Sequence, residues 1–269
     1  GPGVAFGLYR LGRGDRAPGR ADADRAAARA ALRLPVGRGA AGARRGRSLR
    51  CRRTGARGPQ GRAGMTAQGL PAGVILAGGR ATRMGGGDKG LRVVAGTPLL
   101  DRVIARLAPQ CAALALNANG DPARFAAYGL PVLADSLPDH PGPLAGVLAG
   151  MDWAAAQGHA AIVTAAADTP FFPADLVARL RAAAGPTGLA LAASRDADGT
   201  HRQPTFGLWP VALREDLRAA LRGGLRKIVL WTDAHDAGLA VFEAGGFDPF
   251  FNVNRPEDLE AAARIADTA

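Results

Sequence analysis

Of 269 residues, 48% are hydrophobic, 5% aromatic and 21% charged, a composition that supplies a full core and excludes a fibrous or wholly disordered chain. The net charge of +11 is local: residues 1–64 carry 16 Arg, no Lys and 3 Asp, leaving 18 basic and 20 acidic groups in residues 65–269 and so no general polyanion-binding character there. Two cysteines exclude a disulfide framework and a four-ligand zinc site, and Asp, Arg, Gly or Pro breaks every apolar run before the ~18 residues of a membrane span. Residues 1–64, rich in Arg, Gly and Ala, have too few large apolar side chains to offset their ordering entropy and are expected to be disordered, with at most a short helix over Asp22–Leu34. Met65 is the first methionine and a strand follows within ten residues, so Met65 is read as the native start, residues 65–269 as the folded domain and residues 1–64 as a translated leader. A nucleic-acid arm and an Arg-rich targeting peptide are the alternatives for that segment.

From there the chain alternates. Gly73–Ala77 is a short apolar strand, followed by a glycine-rich loop and then by Leu100, Val103, Ile104 and Leu107, spaced as one buried helix face, with Thr97 as the expected N-cap and Pro98 in the first turn. Apolar runs at Ala112–Leu116, Pro131–Ala134 and Ala160–Ala167 end in Asn117 (with Asn119), Asp135 and Asp168, and a helix is expected within residues 143–157. Beyond Asp168 the pattern predicts a helix opened by Pro173 and strands near Leu189–Ala193 and Pro204–Trp209. A helix over Ala212–Leu221, a short helix near Arg226 and a last helix N-capped by Asn254, with Pro256 in its first turn and Glu257 at its third position completing a capping-box-like arrangement, follow. Apolar strands that each end in a polar residue are what a parallel sheet covered on both faces produces, its carboxyl ends opening into a ligand crevice. Asn117, Asp135 and Asp168 are therefore predicted to gather at one edge of the sheet.

The segment Leu76–Leu91 (LAGGRATRMGGGDKGL) carries the strongest chemical signal. Its glycines allow backbone N–H groups to converge on phosphate oxygens without side-chain obstruction, and Arg83 and Lys89 add positive charge on either side. It is neither a Walker A loop, because Gly90 follows Lys89, nor a G-x-G-x-x-G dinucleotide fingerprint.

The loop resembles that of molybdenum cofactor guanylyltransferases, with LAGG, Arg-Met-Gly and Asp-Lys in order; LNAN at Asn117, ADSLPDHPGPLAG at Asp135, AAADTPFFP at Asp168 and FFNVNRPEDL near the end match successive motifs of that family. The likeness runs from about Val74 to the C-terminus. It implies a Rossmann-like α/β three-layer sandwich with a mostly parallel sheet, of the nucleotide-diphospho-sugar transferase type. It also implies transfer of GMP from GTP to the terminal phosphate of molybdopterin, with Mg2+ required and pyrophosphate released. The acceptor phosphate is already anionic, so the reaction needs positioning and charge neutralisation, and neither a general-base histidine nor a covalent intermediate is expected.

In this reading Asp168 is the Mg2+ ligand and Arg83 and Lys89 bind phosphates and stabilise the transition state, with a helix cap after Pro170 and solvated loop charges as the competing roles. Leu76, Ala77, Gly78 and Gly79 line the nucleotide through backbone groups. Asn117 and Asp135 match family positions that contact it, Asp135 reading either guanine or ribose. Gly86, Arg202, Asn252 and Asn254 are candidates for the molybdopterin side. HRQPTFG departs there from the family's Arg-x-His-Pro, and Asn254 competes as a helix cap. His140, His159, His201 and His235 have no metal-ligand spacing and read as surface or loop residues. GTP and molybdopterin are the implied partners, with transient contact to proteins that deliver molybdopterin or mature molybdoenzymes, in a reducing cytoplasm. Three rivals remain: a CTP-using relative, whose first loop reads LAAG where this chain has LAGG; a noncatalytic nucleotide-binding module; and a nucleic-acid binder driven by the basic arm.

Overall fold

The computed structural model describes residues 69–78, 88–137 and 142–267. The expected helix at 22–34, Met65, Gly79, Arg83, Gly86 and His140 lie outside the described residues.

The first strand, β1 (Ala72–Leu76), alternates its side chains between two cores: Ala72 and Val74 face one, Ile75 the other. Seven strands form one sheet in the order β5-β4-β1-β6-β8-β7-β9, where β4 is Leu114–Asn117, β5 Val132–Leu133, β6 Ala161–Ala166, β7 Ala190–Asp196, β8 Gly199–Pro210 and β9 Gly238–Glu243. Within the sheet only β8 runs against its neighbours, pairing antiparallel with β6 and β7; the rest are parallel. One face carries α1 (Leu99–Leu107) and α3 (Leu176–Ala183) over Leu100, Ile104, Leu107, Phe172 and Phe206. The other carries α2 (Pro143–Ala156), α4 (Arg214–Arg222) and α5 (Ile228–Ala234) over Val74, Leu148, Trp209 and Trp231. That is the expected three-layer α/β sandwich. Leu100, Val103, Ile104 and Leu107 are all at most 2% exposed, as their spacing required.

Two local expectations are corrected and one strand was not foreseen. Thr97 and Pro98 do not open α1 as cap and first turn; they form strand β3, which pairs antiparallel with β2 (Val93–Val94), and α1 starts at Leu99. Thr97 is buried there and pairs with Val94 across the hairpin, and Pro98 takes the N-cap position of α1 with no side-chain cap. The last helix, α6, spans Pro256–Ala266, so its N-cap is Arg255 and its third residue Asp258, not Asn254 and Glu257. The Asp258 carboxylate accepts from the backbone N–H of both Asn254 and Arg255 at 2.8 Å. The edge strand β9 was not anticipated; its residues pair in parallel with β7, and Arg179 of α3 ties it down by donating to the Val241 carbonyl while its guanidinium sits 4.0 Å over the Phe242 ring.

The sheet reverses its strand order about β1: β4 and β5 lie on one side, β6 on the other. Ligands in open α/β sheets bind outside the carboxyl ends at such a switch point. Helix α2 seats closely over it because Gly146 and Gly150 face the sheet. A Cβ on Gly150 would meet Val74 Cγ2 at 2.7 Å, and one on Gly146 would collide with Asn117 Oδ1.

Candidate functional site

The register of the parallel strands aligns the site. Leu76, Asn117, Leu133 and Ala166 are level across β1, β4, β5 and β6. Two residues further along each chain stand Gly78, Asn119, Asp135 and Asp168, and all four line one cavity of about 540 Å³. Leu76, Asn117, Ala166, Thr205, Asn252 and the start of α2 at Gly142 and Pro143 complete its wall. The cavity volume suits a nucleotide-sized ligand.

On the β4–β5 side, amide side chains clamp a carboxylate. Asn117 Nδ2 donates to Asp135 Oδ1 at 2.9 Å and to the Leu133 carbonyl at 3.1 Å, while Asn119 Nδ2 donates to Asp135 Oδ2 at 2.7 Å and Asn119 Oδ1 accepts from the Asp135 backbone N–H at 2.9 Å. Each Asp135 oxygen keeps acceptor capacity for a ligand N–H or O–H.

Opposite, Lys89 Nζ lies 3.4 Å from Asp168 Oδ2 and donates to Asn254 Oδ1 at 2.7 Å. Burial pushes the Asp168 carboxyl above its usual range, and the Lys89 charge only partly offsets this. Asp168 caps no helix, since α3 begins at Leu176. Its carbonyl instead accepts from the Val253 N–H at 2.9 Å, drawing the Asn252–Asn254 segment against the end of β6. Asn254, released from capping by Asp258, has its side chain free for Lys89.

Of the residues singled out from sequence, Leu76, Gly78, Asn117, Asp135, Asp168 and Asn252 line the cavity and Lys89 and Asn254 join Asp168 beside it; Ala77 is buried, its N–H donating to the Asn117 carbonyl at 2.9 Å. Arg202 is placed elsewhere: its Nη1 pairs with Asp233 of α5 at 2.6 Å, and it is absent from the cavity wall. Gln203 donates to Ser194. Thr205 was missed, and Asn119, named only as a polar strand end, was given no role in the site. Asn119 was legible as the second polar residue of LNAN; Thr205 carried no signal, because only the pairing of β8 with β6 brings it there. Among the described residues no cluster of three or more His, Cys, Asp or Glu is disposed to hold a metal; His235 packs 4.2 Å from the Trp231 ring and His201 pairs with Asp196.

Residues 73–237 match the model of the MobA-like NTP transferase domain, and proteins named molybdenum cofactor guanylyltransferase are 56% identical over 199 residues in Bradyrhizobium sp. and 53% over 196 residues in Rhodopseudomonas palustris. Each alignment covers 72% of this chain and 92% of the relative. The chain belongs to the molybdenum cofactor guanylyltransferase family. As a member of this nucleotidyltransferase family it shares its fold with the crystal structure of molybdopterin-guanine dinucleotide biosynthesis protein A from Archaeoglobus fulgidus. That likeness has a TM-score of 0.55 at 22% identity and covers 74% of this chain and all of that one. Among the described residues no helix is long and apolar enough to cross a membrane.

Proposed function

We propose that this guanylyltransferase-family chain binds GTP in the cavity at the switch point. The base and ribose lie toward Asn117, Asn119 and Asp135, and the phosphates toward Lys89 and Asp168. A phosphate oxygen of molybdopterin attacks the α-phosphorus of GTP; the new P–O–P bond forms as the α–β bond breaks, and pyrophosphate leaves. The observation that carries this is the level row Gly78, Asn119, Asp135 and Asp168 with the Lys89 ammonium at its end. Asn254 orients that ammonium through a neutral oxygen, so that only the looser 3.4 Å pairing with Asp168 competes with phosphate oxygens for its charge.

The donor set fits Mg2+, which favours one or two carboxylates and completes its shell with phosphate oxygens and water. Asp168 supplies one carboxylate at the cavity wall, opposed by a single ammonium at 3.4 Å. Bound there, Mg2+ would neutralise triphosphate charge and polarise the reacting phosphoryl group. Leu76, Ala77, Gly78 and Gly79 serve the nucleotide through backbone groups, with Arg83 as the second phosphate-binding cation. On the molybdopterin side Gly86, Asn252 and Asn254 are retained; Arg202 would first have to leave Asp233. The catalytic unit is residues 65–269, acting in the cytoplasm with transient contacts to proteins that deliver molybdopterin and receive the product.

Asp168→Ala tests the assignment. GMP transfer is expected to fall by at least about a hundredfold with the fold intact by circular dichroism, as for other electrostatic groups at a reacting phosphoryl centre. Near-normal turnover in that variant would overturn it.

A further inference from the structure

One guanidinium joins Asn119 of the cavity wall to Asp88, the chain neighbour of Lys89. Arg124 lies in the 3-10 turn Pro122–Tyr128 after β4, and Asp121 caps that turn by accepting from the Ala123 N–H at 2.9 Å. Its Nη2 donates to the Asn119 carbonyl at 2.6 Å and its Nη1 to the Asp121 carbonyl at 2.8 Å, while its Nε stands 2.8 Å from Asp88 Oδ2. Asp88 directly precedes Lys89. Gly120, at φ +87°, lets the Asn119–Asp121 backbone fold around the guanidinium; a Cβ there would stand 3.1 Å from Nη1.

A path therefore runs from Asp168 to the Lys89 ammonium, along the covalent backbone from Lys89 to Asp88, across the ion pair to Arg124, to the Asn119 carbonyl, and through Asn119 itself to its side-chain contact with Asp135. Its central ion pair is partly buried, with side-chain exposures of 28% for Arg124 and 20% for Asp88, so it is less screened than a surface pair. Arg124 donates from its two terminal nitrogens to two carbonyls, while its charge is paired with the Asp88 carboxylate although Nε itself has no hydrogen-bond partner among the described residues; a lysine ammonium would not hold both carbonyls in this fixed planar geometry.

We infer that Arg124 is a positioning residue that couples the nucleobase end of the site to its phosphate end, so that disturbing Asp88 beside the phosphates changes how well guanine is distinguished from cytosine. This rests on the functional reading above and assigns a specificity role to residues that touch neither base nor metal. An ion pair of purely structural value would, when broken, lower affinity for every nucleotide alike.

The test measures dissociation constants for GTP and CTP with Mg2+ in wild type, Arg124→Ala, Asp88→Asn and the double variant, alongside GMP transfer by wild type. Arg124→Ala is expected to weaken GTP by about tenfold and to shrink the GTP-over-CTP ratio by at least about threefold. Asp88→Asn, the milder change should the alanine variant fold poorly, is expected to shrink the same ratio, and the double variant to go no lower than Arg124→Ala. Arg124→Lys should restore the ratio only in part. An unchanged ratio in either single variant, or independent effects that multiply in the double, would overturn the coupling. Nucleotide discrimination that follows this pattern without GMP transfer by wild type would sink the functional reading alone, and wild type binding neither nucleotide would sink both.

Discussion

Lys89 Nζ donates to Asn254 Oδ1 at 2.7 Å across 165 residues of sequence, joining the end of the glycine-rich segment to the entry of the last helix. The same few residues also hold the helix cap, yet the two jobs separate cleanly: the cap uses the backbone N–H of Asn254 and the carboxylate of Asp258, the site uses the Asn254 side chain. Asn254→Ala is therefore expected to lower kcat/KM for GTP by about tenfold while shifting Tm by less than about 1 °C, since a lost charge-assisted hydrogen bond is felt only where the ammonium acts. Asp258→Ala should do the reverse, costing about 1 kcal/mol of helix capping, or about 2–4 °C in Tm, with a smaller effect on turnover. Thermal unfolding and steady-state kinetics on the two variants check both halves.

Asp168 carries a stability cost with a defined pH signature. Its folded-state pKa lies above the unfolded value because burial disfavours the carboxylate, so the folded protein holds that proton more tightly. The cost is fully present at pH above the raised folded pKa and vanishes as pH falls below the unfolded value. Asp168→Asn is accordingly expected to raise Tm at neutral pH in metal-free buffer and to lose that advantage in acid, while abolishing transfer. A Tm difference of the opposite sign, or one independent of pH, would contradict the assignment of burial as the dominant cause.

Gly146 and Gly150 lie on one face of α2 but above different neighbours. Alanine gains about 1 kcal/mol of helix propensity at each, against an overpacking cost of about 1–3 kcal/mol. At Gly146 the new Cβ strikes the side chain of Asn117, and thereby the Asp135 clamp; at Gly150 it strikes Val74. Gly146→Ala should weaken GTP binding by at least about fivefold with a small net change in Tm, whereas Gly150→Ala should lower Tm without changing GTP affinity. Calorimetric titration beside thermal unfolding separates the two.

The layered fold and most of the crevice were legible because both follow from local rules. Apolar strands bounded by Asn117, Asp135 and Asp168, alternating with helical periodicity, leave a parallel sheet with a polar carboxyl edge. The parts that escaped depend on pairing across long stretches of sequence. Thr205 reaches the cavity only because β8 reverses beside β6, and β9 is recognisable only once β7 offers it an edge. Arg202 carried a plausible charge, but its partner Asp233 lies on a helix whose packing no motif announces. Asn254 read equally well as cap and as site residue until Asp258 was seen to take the cap.

On the proposed function, the cavity between Asp135 and Asp168 is where GMP passes to molybdopterin. The decisive measurement supplies α-phosphate-labelled GTP and, separately, CTP to protein beginning at Met65, with Mg2+ and molybdopterin, and follows label into the dinucleotide product. GTP-dependent labelling that exceeds CTP-dependent labelling by at least about a hundredfold is predicted, since a base-reading site leaves buried polar groups unpaired with the wrong base. Preferential transfer from CTP, or no transfer from either nucleotide, would contradict it.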